Sequence, residues 1–168
     1  MLKNPIVLFE MDFIIPYIMK NILLLLLLIA AATSFLHGQT VTPSEKQTKD
    51  ISALIDKYSE AREKRDTLQL KAILTTDVDQ LVSTGEWRNG IASSVKGMLN
   101  SSATSPGTRT LVIEKMRLLD PNNAIVDCRY EIRNADGSLR KMWSTFIVAA
   151  DQGIWKISAI RNMLPTTQ

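Results

Sequence analysis

The 168-residue chain has one cysteine, Cys128, and one histidine, His37. A single cysteine excludes an internal disulfide, and a single histidine excludes a multi-histidine metal site. One-sided charge is also lacking. Twenty Lys and Arg stand against seventeen Asp and Glu, a net charge of +3. That surplus is too thin for a nucleic-acid partner, which needs a basic face or stripe. Aromatic residues make up only 6% of the chain, against 45% apolar and 22% charged residues. These proportions fit one ordinary globular domain and leave no room for a second of full size.

What the sequence does have begins at its N-terminal end. Met19-Lys20-Asn21 precedes an uncharged run from Ile22 to Leu36, with six leucines in a row from Leu23 to Leu28. A basic start, an apolar stretch and then small or polar residues form the pattern of a secretory signal peptide. A membrane span needs roughly 20 apolar residues, so the run is short for an anchor. Residues 1–38 are therefore expected to be a signal peptide, cut after Gly38 to leave Gln39 first. An uncleaved signal anchor tethering the protein to a membrane is the alternative. No cysteine follows the run, so a lipoprotein anchor is not indicated. Residues 1–18 carry Glu10 and Asp12 among apolar neighbours, ahead of a complete signal pattern. They read as an over-extended start, with Met19 the true first residue, or else as a second hydrophobic segment. The expected location is periplasmic or secreted, with no stable membrane span after cleavage.

Removing residues 1–38 discards two bases (Lys3, Lys20) and two acids (Glu10, Asp12), so the net charge stays at +3. It also discards His37. The remainder has no imidazole, which excludes Ser-His-Asp, Cys-His and histidine-metal chemistries together. No metal site and no cofactor is expected.

Residues 39–44 form a polar linker. Ser44-Glu45-Lys46-Gln47 is a capping box. Ile51, Leu54, Ile55 and Tyr58 then recur at helical spacing, which predicts an amphipathic helix over 45–64. A second short helix starts at Asp66, with Gln69 three residues on, and buries Leu70, Ile73 and Leu74. Residues 77–88 read as a strand pair or an irregular strand. Asn89-Gly90 precedes a third helix over 91–100, and Ser101 to Gly107 reads as a loop. From Thr108 the period becomes that of strands: 108–119, 123–134, 139–150 and 154–163. Asp120-Pro121-Asn122-Asn123, Asp136-Gly137 and Asp151-Gln152-Gly153 supply the turns between them. Short loops between long strands predict an antiparallel meander. The fold class is α+β: three N-terminal helices packed on a curved antiparallel meander, a cone-shaped barrel whose mouth could admit a small ligand.

The segments Asp77-Val78-Asp79-Gln80-Leu81-Val82-Ser83 and Gly85-Glu86-Trp87-Arg88-Asn89-Gly90 resemble the nuclear transport factor 2-like superfamily. So do Met142-Trp143, Trp155-Lys156-Ile157 and Ile160-Arg161-Asn162-Met163-Leu164. Within it the chain is similar to the SnoaL-like and SgcJ/EcaC-like group, many of them domains of unknown function. The resemblance covers residues 45–165. It implies a cone-shaped barrel, often a homodimer packed through the outer sheet face. The superfamily includes polyketide cyclases, isomerases, dehydratases, an epoxide hydrolase and many non-catalytic modules, and fold alone does not choose among them. Its better-understood enzymes often use a pocket Asp, some paired with a His that this chain lacks.

Candidate site residues follow. Asp79 begins a strand among apolar neighbours, where a carboxylate in a half-closed cavity would serve as a general base; otherwise it is a surface or turn residue. Trp87 offers a flat wall and Arg88 a fork for an anion, or together they are a lid on the core with a paired Arg. Alternation puts Trp155, Ile157, Ala159 and Arg161 on one face, with Arg161 at the cone mouth as an anion reader or an ion-pair partner of Asp79. Asn162 falls on the opposite face unless a bulge intervenes. Tyr130 either donates into the cavity or packs. Cys128 reads as a small buried hydrophobe. Met98, Met116, Met142, Met163, Trp143 and Trp155 read as core. Arg117, Arg129, Arg133, Arg140 and Lys141 interleave with Glu114, Asp127 and Glu131, which suits a solvated or dimerising outer face.

The expected function is an exported SnoaL-like domain that binds a small anionic or apolar molecule or a protein partner, without catalysis. The alternative is a small-molecule acid-base enzyme, an isomerase, dehydratase or hydrolase-like catalyst. In it Asp79 would be the base, Arg161 or Arg88 the charge holder and Tyr130 a donor.

Overall fold

In a computed structural model the described residues are 42–165, together with Lys20 and Ile22. The expected signal peptide, with His37 and the start of the linker, lies outside them except for those two residues. Among the described residues no helix is long and apolar enough to cross a membrane.

Helix α1 runs over Glu45–Lys64. Its capping box is complete: Gln47 N donates to Ser44 Oγ, and Ser44 N donates to the Gln47 side chain. Such a box satisfies two otherwise orphan backbone donors. The stripe Ile51, Leu54, Ile55 and Tyr58 is buried and continues into Ala61 and Arg62. Arg65 ends the helix in the left-handed conformation. Helix α2 spans Thr67–Ile73, capped by Asp66, which accepts from Gln69 N at 2.9 Å.

Strand β1 (Leu74–Leu81) turns back into β2 (Trp87–Asn89), resolving the expected strand pair into an antiparallel hairpin. Helix α3 covers Gly90–Thr104, one turn beyond the predicted end. The loop expected over 101–107 shrinks because tertiary partners hold that turn. Ser102 Oγ accepts from Arg62 Nε at 3.3 Å and its carbonyl accepts from Arg65. Arg109 then donates to the carbonyls of Ser105 and Gly107, closing the helix end.

Strands β3 (Gly107–Asp120), β4 (Asn123–Asn134), β5 (Leu139–Asp151) and β6 (Ile154–Met163) follow as the predicted meander. The sheet order is β2-β1-β6-β5-β4-β3, antiparallel except where β1 lies parallel to β6. Alternation buries one face of each strand under the helices. Val126 and Cys128 of β4, Phe146 and Val148 of β5, and Trp155 and Ile157 of β6 form the core with Ile51, Ile55 and Tyr58. Tyr58 and Phe146 meet edge-to-face, their ring centroids 5.2 Å apart, a pairing that adds about 0.5–1.5 kcal/mol beyond area burial.

One irregularity decides which side chains face inward near the mouth. Val148 pairs with Ile157, whereas Ile147 pairs with Ala159, so Ser158 is an extra residue in β6. Its hydroxyl donates to the Ile147 carbonyl at 3.1 Å. A one-residue bulge exchanges the two faces beyond it. Trp155 and Ile157 face the core before the bulge, and Ile160 and Asn162 face inward after it.

Candidate functional site

The open end of the cone holds a cavity of about 390 Å³. Helix α1 contributes Arg62 from the position after Tyr58 at helical spacing, so the side chain continues the buried stripe. Arg62 as a whole is 5% exposed. Nη1 donates to Tyr58 Oη at 2.9 Å and Nε donates to Ser102 Oγ at 3.3 Å. The group also sits over the Tyr58 ring, 5.7 Å from its centroid. Burial works against the charge, but the Tyr58 and Tyr130 hydroxyls more than offset it, holding the Arg62 pKa above its ordinary value. Burial likewise raises the Tyr58 pKa, against the opposing pull of Arg62.

From the β1–β2 hairpin come Gln80 and Arg88, which pair in register and point inward. Arg88 Nη1 donates to Gln80 Oε1 at 3.3 Å. Its Nε and Nη2 donate to the two carboxylate oxygens of Glu86 at 2.8 and 3.3 Å. The Arg88 bond and charge hold the Glu86 pKa below its usual range. The Arg88 chain lies across α3 at Gly97, where a Cβ would overlap its Cδ, Nε and Cζ. Ser94 Oγ donates to the Arg88 carbonyl at 3.3 Å, fixing the strand from below.

The sheet supplies the other wall. Tyr130, Ile132 and Met142 form a small apolar cluster apart from the main core. Asn162 lines the cavity beside them, its Oδ1 accepting from Ser144 Oγ at 2.7 Å. Arg140 stands at the rim and donates to Ser83 Oγ at 2.9 Å. Among the described residues Glu86 is the one carboxylate lining the cavity, against the cations Arg62, Arg88 and Arg140. Among the described residues no group of His, Cys, Asp or Glu is arranged to hold a metal ion.

Of the residues singled out in the sequence, Arg88, Tyr130 and Asn162 line this cavity, while Asp79, Trp87 and Arg161 do not. Two causes account for the second group. In β1, Val78 and Gln80 are buried, so Asp79 between them points to the outer face. In β6, the Ser158 bulge sends Arg161 outward and Asn162 inward, reversing the alternation expected from Trp155. Asp79 and Arg161 do meet there, in a two-pronged pair at 2.8 and 3.0 Å. Trp87, 53% exposed, stacks on the Arg161 guanidinium at 4.8 Å. Trp143 and Met163, read as core, also lie on the outer face, paired on neighbouring strands. Arg140, read as an outer-face residue, comes to the cavity rim.

Arg62, Gln80 and Gly97 were missed by sequence reasoning. Arg62 was visible in principle, four residues after Tyr58 on the apolar stripe. Gln80 follows Val78 by one strand period. Nothing in the sequence marks Gly97, whose role depends on which side chain crosses the helix.

No protein-family model and no curated protein matches this chain. Solved structures do. An uncharacterized protein with a cystatin-like fold from Caulobacter vibrioides superposes with a TM-score of 0.61 at 20% identity, covering 71% of this chain and 89% of that one. A nuclear transport factor 2-like protein of unknown function from Shewanella oneidensis gives 0.60 at 19% identity, covering 69% and 98%. A protein of unknown function with a cystatin-like fold from Nostoc punctiforme gives 0.67 at 11% identity, covering 76% and 97%. The fold is thus the nuclear transport factor 2-like, cystatin-like α+β cone.

Proposed function

We propose that this protein is an exported, non-catalytic module that binds a small anionic molecule in the mouth of its cone and acts as a homodimer. The observation that carries the reading is Arg62, a buried guanidinium on the cavity wall with no carboxylate within salt-bridge distance among the described residues. Its partners are neutral oxygens and a ring face, which keep the guanidinium charged, so a ligand anion would give it a charge-assisted partner that the protein does not supply. The cavity volume falls at the lower end of the range of about 300–1,000 Å³ usual for ligand sites, which suits a small molecule. An acid-base mechanism built on Asp79 loses its support, because that carboxylate is across the sheet and bound to Arg161. Glu86 is a poor substitute base, since Arg88 favours its ionised form.

The dimer reading rests on the outer sheet face. Trp87, Trp143, Met163 and Val112 are exposed there. Around them stand Arg129 with Glu114 and Lys141 with Glu131. Apolar side chains among both signs of charge suit a two-fold contact, in which each patch meets a copy of itself.

A thermal-shift screen of small organic anions tests the ligand reading. A ligand at 100 times its Kd adds about 2.7 kcal/mol, which moves Tm by roughly 5–10 °C for a domain of this size. Met142→Trp, which fills the cavity, should abolish any such shift; hits that survive it would place the binding elsewhere. Light scattering should return a mass near twice that of one chain, and Trp143→Glu should halve it. Gln39 as the first residue of the exported protein would establish cleavage after Gly38.

A further inference from the structure

The cations of the cavity are unequal, and their inequality specifies a ligand. Arg88 is already satisfied. Two of its nitrogens hold the Glu86 carboxylate and the third holds Gln80. Glu86 thus occupies Arg88 as a ligand carboxylate would, from a turn tied by Val82 N to the Glu86 carbonyl at 2.9 Å. Arg62 is different. Its Nε and Nη1 meet only the neutral oxygens of Ser102 and Tyr58. Nη2 makes no hydrogen bond among the described residues, and neither does the hydroxyl of Tyr130, which shares the cavity. Beside these two free donors lies the apolar cluster of Tyr130, Ile132 and Met142.

Resting on the binding reading above, we propose that the ligand is an amphipathic monocarboxylate. Its carboxylate lies on Arg62 and the Tyr130 hydroxyl, and its apolar body lies along Ile132 and Met142. Glu86 is then the specificity determinant. By neutralising Arg88 it removes the second buried anion subsite; Arg140, exposed at the rim and bonded to Ser83, stays in water, so the interior selects one negative charge over two. Gly97 serves this arrangement by leaving room for Arg88 against the helix. Burying a lone carboxylate against a buried guanidinium satisfies both charges, whereas a second carboxylate would have to displace Glu86.

Titration calorimetry on the purified protein with octanoate, octanamide, suberate and inorganic phosphate tests the proposal, since the first three share a chain length and differ in charge. Octanoate should bind at least about 10-fold more tightly than octanamide, the difference a charge-assisted hydrogen bond makes. Suberate and phosphate should bind more weakly than octanoate. Arg62→Gln keeps a side chain able to reach Ser102 but removes the charge, and should weaken octanoate roughly 10- to 100-fold. Glu86→Gln should strengthen suberate about 10-fold more than it strengthens octanoate. Should Arg62→Gln fail to fold, the octanoate and octanamide comparison in the unaltered protein decides. Equal binding of octanamide overturns the carboxylate assignment but leaves a ligand cavity. Suberate or phosphate binding more tightly than octanoate overturns the single-charge assignment. If none of the four binds, and the anion screen above also finds no hit blocked by Met142→Trp, both the ligand class and the binding reading fall.

Discussion

Gly97→Ala should destabilise this protein, against the usual direction of such a change. In a helix interior, glycine to alanine normally gains about 1 kcal/mol. Here the added methyl would overlap three atoms of the Arg88 side chain. The overlapped group is flexible, so Arg88 moves rather than the backbone. Moving it breaks the bond to Gln80, which is only 1% exposed. A buried amide left without that partner costs about 1–3 kcal/mol. The Glu86 pair, exposed on the Glu side, adds no more than about 1 kcal/mol. Set against the helix gain, the net loss spans about 0–3 kcal/mol and centres near 1.5 kcal/mol, a fall in Tm of roughly 5 °C at that centre. Thermal denaturation followed by circular dichroism reads it, with Ser93→Ala on the exposed side of the same helix as the control. The decisive comparison is the Arg88→Ala background. There the obstacle is gone, Gln80 has lost its partner in both forms, and Gly97→Ala should stabilise by about 1 kcal/mol. A rise in Tm from Gly97→Ala in the unaltered protein would refute the reasoning, because Arg88 would then not be crossing the helix at Gly97.

Other consequences are simpler to check. The Asp79–Arg161 pair is two-pronged, with side chains 29–33% exposed; a double-mutant cycle should give a coupling of about 0.5–1 kcal/mol and leave ligand affinity untouched. Burial, with smaller effects from the Asp127 and Glu114 charges, pushes the Cys128 thiol up to about 12. The native protein should therefore resist thiol reagents at pH 8 and react only on unfolding, and rapid native labelling would contradict the placement. Bonds from Ser138 lower the Asp136 pKa in the hairpin turn, so its contribution to stability is present above the ordinary carboxylate pKa and is lost as pH falls through the folded value. Tm measured from pH 6 to pH 3 should fall less steeply in Asp136→Asn than in the unaltered protein.

How much of this was legible in the sequence depends on the range of the force that decides each feature. Local features were plain. The capping box at Ser44, the Asp66 cap and the turn at Asp136-Gly137 are set by neighbours in the chain, and each lies where the residues indicate. The meander followed from turns and strand period. The third helix was read one turn short because its last turn is held by Arg62 and Arg65, about 40 residues earlier. The site was legible as residue types but not as a side of the sheet. Arg88, Tyr130 and Asn162 point into the cavity, whereas Asp79, Trp87 and Arg161 point away. For Asp79 the buried Val78 and Gln80 decide the matter, and alternation alone could have used them. For Arg161 and Asn162 it could not. A single unpaired residue, Ser158, exchanges their faces, and a bulge is a property of two paired strands rather than of one sequence. That exchange has a chemical effect. It takes the guanidinium of Arg161 out of the cone, puts an amide there instead, and leaves Arg62 as the buried cavity-lining cation without a carboxylate among the described residues. The charge inside the cone thus depends on one bulge in β6 and one helix position after Tyr58, two features that binary patterning does not mark.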